Sequence, residues 1–151
     1  SFITSMVGIQ ELYMFNTPVK DISPIAKLRE LRVLMLAGTA VEDISPIARL
    51  RYLRKLNLWG SKVSNIEPLR SLTRIERLNL GNTRITNTEP LRNLLRLREL
   101  NLSGTLISDI KPLIDLAERG YLIHVDLRLC TQIPKDQVED LRKLGVKVYW
   151  P

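Results

Sequence analysis

Leu94–Pro112 reads LLRLRELNLSGTLISDIKP, and its frame recurs along the chain at a spacing of 22 residues. Leu94, Leu97, Leu100 and Leu102 are preceded by Leu72, Ile75, Leu78 and Leu80. Those are preceded in turn by Leu50, Leu53, Leu56 and Leu58, and by Leu28, Leu31, Leu34 and Leu36. Polar columns keep the same step: Thr17, Thr39, Ser61, Thr83 and Thr105, then Asp21, Asp43, Asn65, Asn87 and Asp109. Pro24, Pro46, Pro68, Pro90 and Pro112 make a third column. Chance does not align so many positions, and a period of this length marks a chain built from stacked supersecondary units.

Each column has a physical role in such a stack. The Leu-x-Leu pair alternates inward and outward as a strand must, and stacked turns form a parallel ladder with strands about 4.8 Å apart. After the strand, the Thr or Ser hydroxyl and the Asp or Asn side chain can bond backbone groups in a tight bend. Proline then opens the return side, where its fixed φ suits the first position of a helical turn. A repeat this short leaves no room for a full α-helix there, so 3₁₀ or irregular turns are expected. No single turn can bury its apolar edge, so only the stack is stable.

Written as L-x-x-L-x-x-L-x-L-x-x-T-x-I-x-D-I-x-P, Leu94–Pro112 resembles the leucine-rich-repeat family in its 22-residue, internalin-like bacterial form. The resemblance is regular from Met6 to Asp115 and continues less regularly to about Ile133. It implies an α/β repeat solenoid: a right-handed horseshoe with a parallel concave sheet and a 3₁₀ or irregular convex side. It also implies binding through side chains that point out from the strands. Adhesive surfaces, adaptor subunits and the sensor arms of larger signalling or defence proteins all use such modules.

The frame slips between Leu116 and Ile133, where Val125 and Leu127 answer Leu100 and Leu102 at a spacing of 25 residues. The extra residues fall around Ala117–Tyr121. After Pro134 the pattern changes type. Lys135–Leu144 places Val138, Leu141 and Leu144 on one helical face, Asp136 with Glu139 reads as a capping box, and Gly145 suits the helix end. Val146–Trp150 reads as a closing strand, so a helix-plus-strand C-terminal cap is expected. The domain reading is therefore one unit, with repeats over 1–133 and the cap over 134–151. Phe2 and Ile3 fall where Pro24 and Ile25 fall one repeat later, so the chain starts in mid-repeat without an N-terminal cap. An uncovered parallel edge invites aggregation, and the expectation is that the protein continues upstream with more repeats or another domain. Thr88 replaces the inward Ile of the other repeats (Ile44, Ile66, Ile110) and is expected to cost stability.

The chain has 151 residues, of which 44% are apolar but only 5% aromatic, as layers of aliphatic side chains require. Lys and Arg number 23 against 16 Asp and Glu, a formal charge of 23 − 16 = +7. Such a surface attracts nucleic acid, anionic lipid or an acidic protein without choosing among them. Cys130 is the one cysteine, which excludes a scaffold stapled by internal disulfides. No stretch is long and apolar enough to span a bilayer, so membrane insertion is not expected, and Ser1–Gly8 lacks a signal-peptide pattern. Internalin-like surface proteins usually carry a helical N-terminal cap. Its absence here weighs toward a cytoplasmic sensor or effector arm over surface adhesion, with a secreted or host-delivered effector as the other location.

The outward positions are unevenly filled. Tyr13, Phe15, Val33, Met35 and Trp59 fall on the first three strands, although an outer face has no intrinsic need for large apolar groups. Such patches mark interaction sites, and Trp, Tyr and Met are enriched in interface centres. The alternative is packing of these side chains against each other across strands, or against the expected upstream region. Asn57 and Asn79, with Asn101, form a polar column that either bonds a ligand backbone or runs as a ladder among its own members. Arg77, His124, Asp126 and Arg128 complete the candidate partner-binding set. A protein partner on the concave sheet is the expected function, as the ligand-binding or sensor part of a larger bacterial protein.

Nucleic-acid or polyanion binding is the rival, through an arginine margin just ahead of the strands that includes Arg51, Arg54, Arg74, Arg96 and Arg98 with Arg29 and Arg32. Glu30, Glu76 and Glu99 share those columns, and cross-strand ion pairs are expected to neutralise much of the stripe. Aromatic stacking, which nucleic-acid grooves usually add, is limited to Tyr52 and Trp59. An enzyme is not expected. His124 and Asp126 share one side of a strand, where the Asp can orient the imidazole, but Cys130 reads as inward filler and no nucleophile remains. Two groups are too few for zinc, and no phosphate-cradling glycine loop, G-x-S-x-G or H-E-x-x-H is present. No cofactor or metal is expected.

Overall fold

The computed structural model describes residues 6–151, so Phe2 and Ile3, which set the expected mid-repeat start, lie outside the described residues. Seven short strands form one parallel sheet in chain order. They are β1 (Glu11–Tyr13), β2 (Val33–Met35), β3 (Lys55–Asn57), β4 (Arg77–Asn79), β5 (Glu99–Asn101), β6 (His124–Asp126) and β7 (Lys147–Tyr149). The register aligns Leu12, Leu34, Leu56, Leu78, Leu100, Val125 and Val148 in a single row. From Leu34 onward every member of that row is buried. Leu36, Leu58, Leu80, Leu102 and Leu127, two positions on, form a second buried row. A strand of three residues has one inward side chain, so the core grows by stacking coils.

Two sets of polar side chains turn the corners. The Thr39, Thr83 and Thr105 hydroxyls donate to the carbonyls of Leu36, Leu80 and Leu102 at 2.7, 2.6 and 2.7 Å. Further round the coil, Asp21, Asp43, Asn65, Asn87 and Asp109 each accept the backbone N–H two residues on, at 2.9 Å. The return side then starts with proline in 3₁₀ turns at Ser23–Lys27, Ser45–Arg49, Glu67–Leu69 and Glu89–Leu91. Thr88 is buried as the column requires, and its hydroxyl donates to the Asp109 carbonyl at 3.1 Å. That bond offsets much of the penalty expected for a polar group in an isoleucine position.

The 25-residue repeat departs from the expected irregular return. Its extra length is taken up by an α-helix, α1 (Lys111–Arg119), which the 22-residue coils cannot accommodate. A second helix, α2 (Lys135–Lys143), packs against α1 and β7. The expected capping box does not form: Pro134 is the N-cap, so Asp136 lies within the first turn and no side chain caps the helix. Val138 and Leu141 are buried but Leu144 is 42% exposed, because it falls at the helix C-cap. The buried Gln137 takes the third inward place, its Oε1 accepting the Ile110 N–H at 2.8 Å where α1 begins. The Trp150 indole N–H donates to the Cys130 carbonyl at 3.2 Å. Helix and strand are thus tied to the last repeat by polar as well as apolar contacts.

One residue per coil, just after the strand, is left-handed: Asn16 (φ 51°), Gly38, Gly60, Asn82 (52°), Gly104 and Leu129 (66°). Glycine and asparagine tolerate that region, whereas a Cβ-bearing leucine costs roughly 1–2 kcal/mol there. Leu129 is also 75% exposed, so it recovers little by burial. Leu129→Gly should therefore stabilise the protein by about 0.5–1 kcal/mol, after allowing for the greater unfolded-state freedom of glycine. Urea denaturation of both proteins checks this, and a lower midpoint for the variant would contradict it.

Candidate functional site

The register that buries the leucines also fixes three solvent-facing rows across the sheet. The first is Glu11, Val33, Lys55, Arg77, Glu99, His124 and Lys147, and the second is Tyr13, Met35, Asn57, Asn79, Asn101, Asp126 and Tyr149. The third follows the strands: Phe15, Ala37, Trp59, Gly81, Ser103 and Arg128, of which Gly81 is buried. Lys147 and Tyr149 were not among the residues expected on this face. Their signal in the sequence is the alternation of Val146–Trp150, which assigns a strand but, with a helix before it, no repeat position.

The face has two unlike halves. At the β1 end Tyr13, Phe15 and Trp59 are 53, 47 and 43% exposed, with Val33 and Met35 half-buried beside them. Tyr13 and Phe15 do pack on each other, their rings 6.1 Å apart and tilted by 47°, but both remain largely open. Trp59 leans over the next coil, where a Cβ on Gly81 would lie 2.8 Å from its Cδ1. Glycine at that point makes room for the indole.

Toward β7 the same rows line a groove of about 520 Å³. Met35 stands at one end and Tyr149 at the other, with Asn57, Asn79, Asn101 and Asp126 along the floor and Lys55, Arg77, Glu99 and His124 beside them. The asparagines neither form a ladder nor present both amide ends. Each Oδ1 accepts the backbone N–H two residues on: Trp59 at 2.9 Å, Gly81 at 3.0 Å and Ser103 at 2.8 Å. The Nδ2 donors enter no hydrogen bond among the described residues, so a row of oriented amides borders the groove.

Asp126 continues the row and accepts the Arg128 N–H at 3.0 Å. It also holds the Arg128 guanidinium in a fork, at 2.6 Å to Nη2 and 3.0 Å to Nε. That side-chain bond, more than the backbone one, holds its carboxyl below the ordinary aspartate range. The expected support of His124 by Asp126 is therefore absent, because Arg128 occupies the carboxylate. Arg128 and Lys147 both approach the Tyr149 ring, at 5.8 and 5.3 Å from its centre. Cys130 is buried, its thiol donating to the Leu102 carbonyl at 3.1 Å, in the place that Thr105 holds one coil earlier.

The margin ahead of the strands also differs from expectation. Of the three glutamates expected to pair with it, Glu99 meets Arg77 at 3.5 Å, and Glu30 and Glu76 form no ion pair among the described residues. Arg74 lies over the Tyr52 ring at 4.8 Å. Trp59 sits beyond the C-terminal end of β3, at the opposite edge, and does not belong to this margin. The remaining short pairs are on the return side and in α2: Arg70–Glu67, Arg92 with Glu89 and Asp115, Arg119–Asp115 and Arg142–Glu139.

A family model of leucine-rich repeats, in two copies, matches residues 52–93. No curated protein matches the sequence. Among solved structures, internalin C2 of Listeria monocytogenes is 33% identical over 95% of this chain and 62% of its own, with a TM-score of 0.83. A leucine-rich-repeat protein of Leptospira interrogans matches over 97% of this chain and 38% of its own, at 20% identity and a TM-score of 0.84. An internalin F of Listeria monocytogenes matches at 19% identity and a TM-score of 0.63, over 99% of this chain and 58% of its own. The last two likenesses concern the fold alone. The chain spans less than two thirds of the length of each of these proteins.

Asp126→Asn separates the two bonds of this carboxylate, since Oδ1 of the amide can still accept the Arg128 N–H while the ion pair is lost. The folded-state pKa lies below the ordinary 3.8, so ionised Asp126 stabilises the fold above that value. Its contribution fades as pH falls through the lower, folded-state value. Urea titration at pH 7 should show the variant less stable by about 0.5–1 kcal/mol, discounted for the exposed Arg128. In strong acid the gap should close; a gap of the same size there would contradict the assignment.

Proposed function

The chain is a leucine-rich-repeat solenoid of the internalin-like type, and from that premise we propose that it binds a partner protein on its concave sheet. The leucine-rich-repeat fold generally mediates protein–protein interaction, and proteins of this type are typically recognition modules rather than enzymes. The observation that carries the reading is the placing of Tyr13 and Met35, solvent-facing on aligned strands, and of Phe15 and Trp59 just beyond the strand ends, directly beside a groove bordered by oriented amides. Large apolar side chains in solvent forgo burial that most chains would take, and contiguous patches of them mark interfaces.

The anchors and the groove divide the work. Tyr13, Phe15 and Trp59, with Val33 and Met35 between them, offer the apolar centre that interface energetics concentrate in few residues. Asn57 and Asn79 offer Nδ2 donors for main-chain carbonyls of the partner. Arg77, His124, Asp126 and Arg128 supply charge and hydrogen-bonding specificity around that centre, with Tyr149 and Lys147 closing the far end. The strands are rigid, so these groups are pre-organised and little ordering cost is incurred on binding. We place the chain as the ligand-binding or sensor part of a larger bacterial protein.

Affinity capture from source-cell or host lysate, with captured protein and nucleic acid both identified, supplies the ligand for a calorimetric test. The Tyr13→Ala, Met35→Ala, Trp59→Ala variant, shown by circular dichroism to be folded, should lose binding to the captured protein. Hot-spot residues contribute about 2 kcal/mol or more each, so affinity should fall by at least roughly a hundredfold. A partner that binds wild type and variant alike would place recognition elsewhere on the molecule.

A further inference from the structure

We propose that the edge of the sheet ahead of the strands is a second docking surface, which takes an acidic segment of a polypeptide. Six arginines gather there. Arg32, Arg54 and Arg98 immediately precede β2, β3 and β5, Arg29 and Arg51 lie on the turns before them, and Arg96 stands beside Arg98. None of the six side chains enters an ion pair or hydrogen bond among the described residues. On the other surfaces Arg70, Arg77, Arg92, Arg119, Arg128 and Arg142 each hold a carboxylate, whereas Arg49 and Arg84 form no ion pair among the described residues.

Arg29 with Arg51, and Arg32 with Arg54, are like charges on adjacent coils about 4.8 Å apart, which repel one another, and an isolated solenoid gains nothing from that arrangement. Glu76 stands between Arg54 and Arg98 in their column and Glu30 in that of Arg96, but neither is within ion-pair distance of an arginine among the described residues. Arg32, Arg54 and Lys55, with Glu11 and Glu76 among them, line a shallow depression of about 620 Å³ whose apolar lining is Ile9 and Val33. A guanidinium is a planar fork suited to a carboxylate, and partners are steered by complementary charge.

Carboxylates fit this edge better than a phosphate chain does. Glu11, Glu30 and Glu76 interrupt the positive run, which discrete acidic side chains can step around but a continuous phosphate backbone meets as repulsion. The free aromatic faces on which bases stack are also scarce, since the Tyr52 ring already lies under Arg74. At the far end Leu95 and Ile123 are 39 and 45% exposed, an apolar margin that side chains of a polypeptide can cover. This surface adjoins the first concave row and shares Glu11, Val33 and Lys55 with it, but its arginines lie outside the concave rows.

Fluorescence anisotropy with a labelled Glu-rich peptide, set against labelled oligothymidylate at equal ionic strength, tests the assignment on the whole chain. Arg32→Glu, Arg54→Glu, Arg98→Glu should weaken peptide binding roughly tenfold or more. Lys62→Glu, Arg84→Glu, Lys111→Glu makes the same change in net charge at exposed positions away from this edge and should alter it less than about twofold. The concave triple variant should bind the peptide as wild type does. Should the margin reversal fail to fold, Gln at the same three positions should still weaken binding measurably. Equal losses in both charge-reversed proteins, loss in the concave variant, or tighter binding of the oligothymidylate would each overturn the proposal.

Discussion

A coil of 22 residues has one inward side chain on its strand and cannot enclose it alone; everything else in this molecule follows from that constraint. Leu34, Leu56, Leu78 and Leu100 are buried because each is covered by its neighbours along the row. The stack is therefore held in register by burial itself, since a slip of one residue would turn the whole row to solvent. The bend residues serve the same end. Thr39, Thr83 and Thr105 tie the chain to the carbonyl three residues back, so that each coil leaves its strand at the same angle.

A register fixed from the inside leaves the outside free. Once Leu56 and Leu78 must align, Asn57 and Asn79 align as well, and so do Lys55 and Arg77. The outward rows carry no duty to the core, which makes their composition informative in a way that the leucines are not. Asn57, Asn79 and Asn101 show how the two demands meet. The Oδ1 of each closes its own bend, and that bond orients the Nδ2 left beside the groove. At the same place in the last repeat, Asp126 holds Arg128 instead, so the groove ends in a fixed charge pair and an aromatic ring.

The fold was legible because its determinants repeat. A column seen five times, such as Pro24 to Pro112, outweighs any single propensity, and inward and outward positions follow from the Leu-x-Leu alternation alone. Legibility fell where repetition stopped. Asp136 and Glu139 have capping-box spacing, but the geometry of Pro134 decides where α2 begins and places the acid inside it. Lys147 and Tyr149 lie beyond a helix, and only the observed pairing with β6 assigns them to the concave rows. The arginine margin was legible as a cluster and not as an electrostatic state. Columns give neighbours across strands, as for Arg77 and Glu99, whereas most ion pairs here depend on turns and helices: Glu67 and Glu89 reach arginines three residues on, and Asp115 reaches Arg119 across one turn of α1.

Those pairings decide where the charge of the molecule acts. The return side carries several of its acids and bases in couples, which screens both partners. The edge ahead of the strands keeps its guanidiniums apart from carboxylates, while the edge behind them is built from left-handed glycine and asparagine positions, with Phe15 and Trp59 just before two of them. The β1 half of the sheet is therefore polarised, with arginines on one rim and Phe15 and Trp59 on the other, and the amide-lined groove runs on from it. A coil can maintain that difference because the two rims are separated by the strand and its inward leucines, which isolate what happens on one from the packing of the other. Leu129 is the place where the separation fails, since a backbone position reserved for bend geometry there carries a large side chain into solvent.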